Sequence, residues 1–271
     1  MRRLTWLSLF ILMTVGANSQ TFLFDIGGGL MNYGGDLQRK TLTLSQSHPF
    51  IQGGVGVQIN THWAGYFSLA AGEVSGSDTK GDVNSKTYKR NLSFYSNVSE
   101  VSLLLEYNLF DISGMKNFTP YGFAGIGALR FKPYTFDTAN NKVYLQPLGT
   151  EGEGIPELSD KPLYNQLTFE IPFGVGIKYA ISPTFIIGGE FGFRKLFTDY
   201  LDDVSAFNYA DTAVLRSVRG QQAAELSFRA DEIPGSKYPI TAQRGNPDKK
   251  DTYYTFELKL IISLGKGVFL Y

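Results

Sequence analysis

From residue 167 the chain alternates strictly. Leu167, Phe169, Ile171, Phe173, Val175, Ile177 and Tyr179 take every second position, with Thr168, Glu170, Gly174, Gly176 and Lys178 between them. A period of two places one set on each face of a pleated strand, which a helix cannot do. A short turn at residues 180–184 follows. The alternation then resumes, with Phe185, Ile187, Gly189, Phe191 and Phe193 against Gly188, Glu190, Gly192 and Arg194. Each run reaches the ~9–11 residues that a tilted strand needs to cross a bilayer.

Six further segments alternate in the same way, at residues 22–35, 51–59, 63–73, about 92–109, 121–131 and 254–264. In the first, Phe22, Phe24 and Ile26 share a face before Gly27-Gly28-Gly29 loosens the pattern. In the fourth, Val101, Leu103, Leu105, Tyr107 and Leu109 oppose Glu100, Ser102, Glu106 and Asn108, and the register is disturbed near Asn97. In the fifth, Tyr121, Phe123, Leu129 and Phe131 form the apolar row opposite Gly122, Ala124, Ala128 and Arg130. Nothing longer than a turn reads as a helix. Short connections at 60–62, 111–118 and 180–184 alternate with long ones at 36–49, 74–91, 132–165 and 199–251. The long ones are rich in Gly, Asp, Asn, Lys, Pro and Ser, as solvent-exposed loops are. Outer-membrane barrels combine short periplasmic turns with long external loops. The reading is all-β: an eight-stranded antiparallel transmembrane up-and-down barrel.

A soluble lipocalin-like barrel would turn the same apolar rows inward. Those rows carry four to seven large residues per strand, and an eight-stranded barrel has room inside for only one layer of side chains. Trp63, Tyr107, Tyr121, Tyr179 and Phe185 also share the apolar face beside short turns, which reads as a periplasmic aromatic girdle. The membrane reading follows. The opposite parity then sends Glu100, Glu106, Glu170, Glu190 and Glu257 into the lumen with Arg130, Lys178, Arg194 and Lys259. Buried charges in so narrow a space should pair. Equal steps from a turn centred on Ser182 set Glu170 opposite Arg194 and Gly174 opposite Glu190, so a direct Glu170–Arg194 ion pair is expected.

Residues 1–19 read as an export signal, and residues 20–271 as the barrel. Arg2 and Arg3 precede an apolar run at 4–15, and Ala17-Asn18-Ser19 supplies small residues at a cleavage site. The run is shorter than the ~20 residues of a spanning helix. The mature chain would begin near Gln20 in the outer membrane, in contact with its lipids.

Chemistry is sparse. The chain has 25 basic and 25 acidic residues without a basic run, which argues against nucleic acid, and no Cys for disulfides or thiolate metal sites. His48, beside Ser45 and Ser47, suggests a Ser/His hydrolase at the outer leaflet, but no acid lies at a recognisable spacing, so loop polarity is the favoured reading. His62 falls in a short turn. The glycine clusters lie within strands, lacking the strand-to-helix context of a phosphate loop. No enzyme, cofactor or metal site is read. One motif stands out: Thr198-Asp199-Tyr200-Leu201-Asp202-Asp203-Val204-Ser205, where the seventh strand leaves the membrane. Its three carboxylates could bind Ca²⁺; the favoured reading is a structural cap in which they accept backbone N–H bonds.

Phe193-Arg194-Lys195-Leu196-Phe197 leading into that motif resembles the signature of a family of Gram-negative outer-membrane barrels that includes the PorG-like component of the type IX protein secretion system. Asn32-Tyr33-Gly34-Gly35-Asp36, residues 119–127 and residues 171–177 are similar to that family too. The resemblance covers nearly the whole mature chain. It implies an outer-membrane barrel attached to periplasmic ring subunits of a secretion machine, with no ring-contacting residue carried over. The other reading is a free-standing barrel that recognises ligands or surfaces through its external loops.

Overall fold

The computed structural model describes residues 21–38, 43–83, 85–112 and 117–265; the export signal expected at residues 1–19 and part of the 111–118 turn lie outside them. Eight long strands form one antiparallel sheet: β1 (Thr21–Gly34), β2 (His48–Gln58), β3 (Trp63–Ser77), β4 (Ser93–Asn108), β5 (Phe118–Phe136), β7 (Leu167–Ala180), β8 (Phe185–Leu196) and β9 (Thr252–Leu264). A short β6 (Lys142–Tyr144) extends the outer end of β5. Each long strand pairs with its chain neighbours, β1 pairs with β9, and so the barrel closes without an edge.

The alternation resolves as an inside-out protein. Phe169 is 76% exposed and Leu258 77%, whereas Glu170 is 1% exposed and Glu257 3%. Apolar residues ring the outside of the wall and charges fill the inside, which excludes a lipocalin-like core and requires lipid around the strands.

Within the lumen the side chains form layers. At the short-turn end Leu23, Ala64, Ala180, Ile186 and Ile261 make a small apolar plug. Ionic residues occupy the middle. Towards the long loops an apolar core takes over, from Met31, Phe50, Phe94, Val98, Leu129 and Phe131, and continues into loop residues Leu37, Leu145, Leu201, Val204 and Leu226. The loops therefore fold over the mouth as a cap, rather than lying free in solvent as their composition suggests.

Four expectations are corrected. The first is the parity of β5. Tyr121, Phe123, Leu129 and Phe131 are all buried in the lumen, while Ala124, Ile126 and Arg130 face outward. The aromatic rings fit inside because Tyr121 lies opposite Gly176 and Phe123 opposite Gly174 on β7, where a Cβ on either glycine would collide with the facing ring. Tyr121 is thus no part of a girdle, and Arg130 is no lumen charge. Second, β4 runs unbroken through Asn97, paired with Glu73 and Lys132. The apparent disturbance is a change of environment: Phe94 and Val98 point inward because there the interior is the cap core. Third, the β7–β8 hairpin pairs Glu170 with Leu196, Arg194 with Pro172 and Glu190 with Gly176. The Ser182 hydroxyl accepts the N–H groups of Thr184 and Phe185, which moves the turn centre to Pro183 and every partner by two residues. Fourth, the last long loop contains helices α2 (Thr212–Arg219) and α3 (Gln221–Ser227), and residues 86–90 form a one-turn helix, α1 (Lys86–Arg90). Asp211 caps α2 by accepting the N–H groups of Ala213 and Val214.

Candidate functional site

Two polar assemblies distinguish this barrel, one in the lumen and one at its mouth. In the lumen, Lys178 on β7 pairs with Glu106 on β4, which also accepts the Asn108 amide at 3.0 Å. Lys259 on β9 pairs with Glu190 on β8, and Tyr121 donates to the same carboxylate at 2.7 Å. The Lys178 ammonium stands 4.5 Å above the Tyr121 ring, so this inward aromatic links both pairs. Arg194 does not meet Glu170. Its Nε donates to Glu100 at 3.2 Å and its Nη1 to the Thr255 hydroxyl at 2.7 Å. The Tyr253 hydroxyl bridges Glu100 and Glu170 at 2.7 and 3.0 Å. The gap among Asp25, Gln52, Tyr66, Glu106, Glu190 and Lys259 measures about 10 Å³, no more than one water needs.

Acids outnumber bases in this interior. Asp25, Glu100, Glu106, Glu170, Glu190 and Glu257 face only Lys178, Arg194 and Lys259 among the described residues. Glu257 lies directly across the β8–β9 ladder from Glu190, and neither of its carboxylate oxygens has a hydrogen-bond partner among the described residues.

At the mouth, the acidic motif is the keystone of the cap. Asp202 accepts the Val204 N–H at 2.9 Å and binds the Tyr33 hydroxyl. Asp251 accepts the Leu201 N–H at 2.9 Å and the same hydroxyl at 3.1 Å. Asp203 accepts the hydroxyls of Tyr164 and Thr150. Asp199 is buried, and Thr198 bonds the Tyr200 N–H at 3.2 Å through its hydroxyl. Tyr200 stacks on Tyr164 at 4.4 Å. Beside them Arg244 pairs with Glu151, whose two oxygens accept the N–H groups of Ser205 and Ala206 at 2.8 Å each. Arg90 clamps Asp78 at 2.8 Å and reaches the Asp36 carbonyl at 3.0 Å. Five separate loop segments are thereby laced together.

Burial sets the acidity of this cap. It pushes the Asp203 carboxyl up to about 8, with the Glu153 charge adding and Arg244 opposing. It likewise raises Asp199 to about 7. Asp202 and Asp251 are held well above the usual carboxylate range, by burial first and then by neighbouring carboxylates.

The outer wall carries two aromatic zones. Trp63, Tyr107, Tyr179 and Phe185 are all exposed near the short turns, with Trp63 and Tyr107 in contact at 4.8 Å. The zone at the long-loop end was missed by sequence reading: Tyr95 and Tyr134 stack at 5.4 Å, joined by Phe136 and Tyr144. Also missed were the Tyr253 bridge and the Arg244–Glu151 pair, whose members come from distant segments that no spacing rule connects.

The family model described as a domain of unknown function, DUF6089, matches residues 2–217. The chain belongs to that family. A search of curated proteins finds no match. Among solved structures, the DUF6089 chain is similar to Neisserial surface protein A, at 7% identity over 89% of this chain and 96% of that one, with a TM-score of 0.45. It is similar to Ail, the attachment invasion locus protein of Yersinia pestis, at 10% identity over 91% and 99%, TM-score 0.43. It is also similar to the outer membrane enzyme PagL, at 13% identity over 88% and 96%, TM-score 0.35. At these scores none of the three bears on what this DUF6089 chain does.

Proposed function

We propose that this chain is a non-conducting outer-membrane anchor that serves as an assembly component of a type IX-like secretion machine, holding periplasmic ring subunits through its short turns. The observation that carries the non-conducting part is the closed interior: an apolar plug, an ionic layer and an apolar cap core leave no path for a solute. A barrel that passes nothing works through its surfaces. On the periplasmic side Ile59, Leu109 and Ile181 are 60%, 51% and 61% exposed at the turns, an apolar rim suited to protein contact. The secretion role itself rests on the resemblance in residues 193–205 and the other matching motifs.

A second reading, recognition through the external cap, is favoured by apolar side chains on the cap surface, with Val83 60%, Phe207 55% and Val218 53% exposed. Affinity purification from outer membranes separates the two. Co-purification of periplasmic secretion subunits, lost on polar substitution of Ile59 and Ile181, supports the first. Retention of external ligands alone, with type IX export intact in a deletion strain, supports the second. A large, stable conductance in planar bilayers would contradict both.

A further inference from the structure

Outside the barrel, at the external aromatic zone, three side chains assemble that no sequence spacing brings together. β2 and β3 stop pairing beyond Phe50 and Gly72, and β3 continues alone beside β4. At that parting His48, the first residue of β2, lies against Glu73 and Ser75, two residues apart on β3. The His48 Nε2 is 2.7 Å from the Ser75 Oγ, and its Nδ1 is 3.2 Å from a Glu73 carboxylate oxygen. A carboxylate only accepts, so Nδ1 carries the hydrogen and Nε2 is free to accept from the serine hydroxyl. The second Glu73 oxygen accepts the Tyr134 hydroxyl at 2.6 Å, which holds the acid in place. The Tyr95 ring packs edge-on to the imidazole at 5.8 Å. Nucleophile, base, and an orienting acid with its own support are the parts of an activated serine.

We propose that Ser75, His48 and Glu73 form a serine esterase site that cleaves acyl esters of lipids in the outer leaflet. Its depth selects the substrate. Ser75 stands twelve residues along β3 from Trp63 of the periplasmic girdle, which at ~3.3 Å per residue and ~40° tilt is about 30 Å, one hydrocarbon thickness. Ester groups lie at that level, between acyl chains and headgroups. Outward-facing Val101, Leu103 and Ile126 continue below as lipid-facing wall. Directly across the ladder from Glu73 is Asn97, and beyond it Lys132, with Arg130 one outward step deeper. Among the described residues neither the Arg130 nor the Lys132 side chain has an ion-pair or hydrogen-bond partner. About 10 Å from the acid by strand spacing, they suit an anionic headgroup.

In the reaction the Ser75 Oγ bonds to the ester carbonyl carbon while its proton passes to His48 Nε2. The carbon–oxygen bond to the lipid alcohol breaks, and that oxygen leaves with the His48 proton. Water then attacks the acyl-serine, giving its proton to His48, which returns it to Ser75 as the fatty acid departs. Asn97, whose amide makes no hydrogen bond among the described residues, is placed to donate to the carbonyl oxygen.

The test uses the full chain refolded in detergent micelles, with folding read by heat-modifiable gel mobility. A fluorophosphonate probe should label Ser75, identified by peptide mass spectrometry. His48→Asn should slow labelling by about 10²–10⁴-fold, and Ser75→Ala should abolish it, both with unchanged mobility. Fatty acid release should be faster from phosphatidylglycerol than from phosphatidylcholine vesicles, and Arg130→Gln with Lys132→Gln should remove that preference. Folded protein left unlabelled at Ser75, labelling indifferent to His48→Asn, or esterase activity on soluble esters without fatty acid release from either vesicle would overturn the proposal. The secretion reading is scored separately, by co-purification.

Discussion

Arg194 is 1% exposed, and its replacement by alanine isolates several groups at once. Glu100 loses its only cation contact among the described residues, Thr255 loses a 2.7 Å donor, and Tyr253 is left between two carboxylates. Breaking a buried ion pair by removing one partner costs about 3–5 kcal/mol, most of it the uncompensated charge that remains. Removing that charge as well should recover a large part. In a double-mutant cycle, Arg194→Ala with Glu100→Gln should therefore show coupling of about 1.5–3 kcal/mol, the range of a charge-assisted bond. Arg194→Ala with Glu170→Gln should show clearly less, because Glu170 touches the arginine only through Tyr253 and Glu100. The assay is urea unfolding in lipid vesicles, followed by Trp fluorescence and gel mobility. Equal or larger coupling to Glu170 would refute the hairpin register and the wiring built on it.

Other outcomes follow from the same interior. Glu257→Gln should raise stability by about 1 kcal/mol, since it removes a buried carboxylate that faces Glu190 across the ladder without a hydrogen-bond partner among the described residues; a loss of stability would show that attraction to Lys259 outweighs that repulsion. The cap should loosen as pH rises. The raised folded values of Asp199 and Asp203, about 7 and about 8, mean that the folded cap binds protons the open loops release above roughly pH 4. Stability then falls with pH through that window, by up to about 1.4 kcal/mol per unit for each proton. Hydrogen-exchange protection at residues 199–205, taken relative to the intrinsic base-catalysed rate at each pH, should be lower at pH 8.5 than at pH 5.5, and Asp203→Asn should flatten the difference. Protection that rises with pH would contradict this assignment.

The parts of this fold that were legible in the sequence are those where one face meets lipid. On β7 and β8 large apolar residues stand against Glu, Lys, Arg and Gly, and the physics of a bilayer admits one orientation. On β5 the same rule misleads, because its large residues are the aromatics that fill the lumen while Gly122, Ala124 and Ala128 meet lipid. The clue lay on the neighbouring strand: Gly174 and Gly176 face inward and leave space that some ring must occupy. Loop packing was illegible for a different reason. Arg244 and Asp203 stand at opposite ends of one long loop and Glu151 in another, and only the closed barrel brings them together. The Ser75–His48–Glu73 contact is hidden likewise, since His48 and Ser75 meet only where β2 and β3 part, beyond their last paired residues.

One parity of every strand faces a closed interior and the other faces lipid, and on β5 the interior parity is that of Tyr121, Phe123, Leu129 and Phe131. Single cysteines at Phe123, Ala124, Gly125, Ile126, Gly127 and Ala128, labelled with a fluorophore in vesicles containing brominated lipids, test it directly. Strong bromine quenching at Ala124, Ile126 and Ala128, with little at Phe123, Gly125 and Gly127, is the predicted result. Quenching at Phe123 with Ala124 protected, or no alternation along the strand, would contradict it.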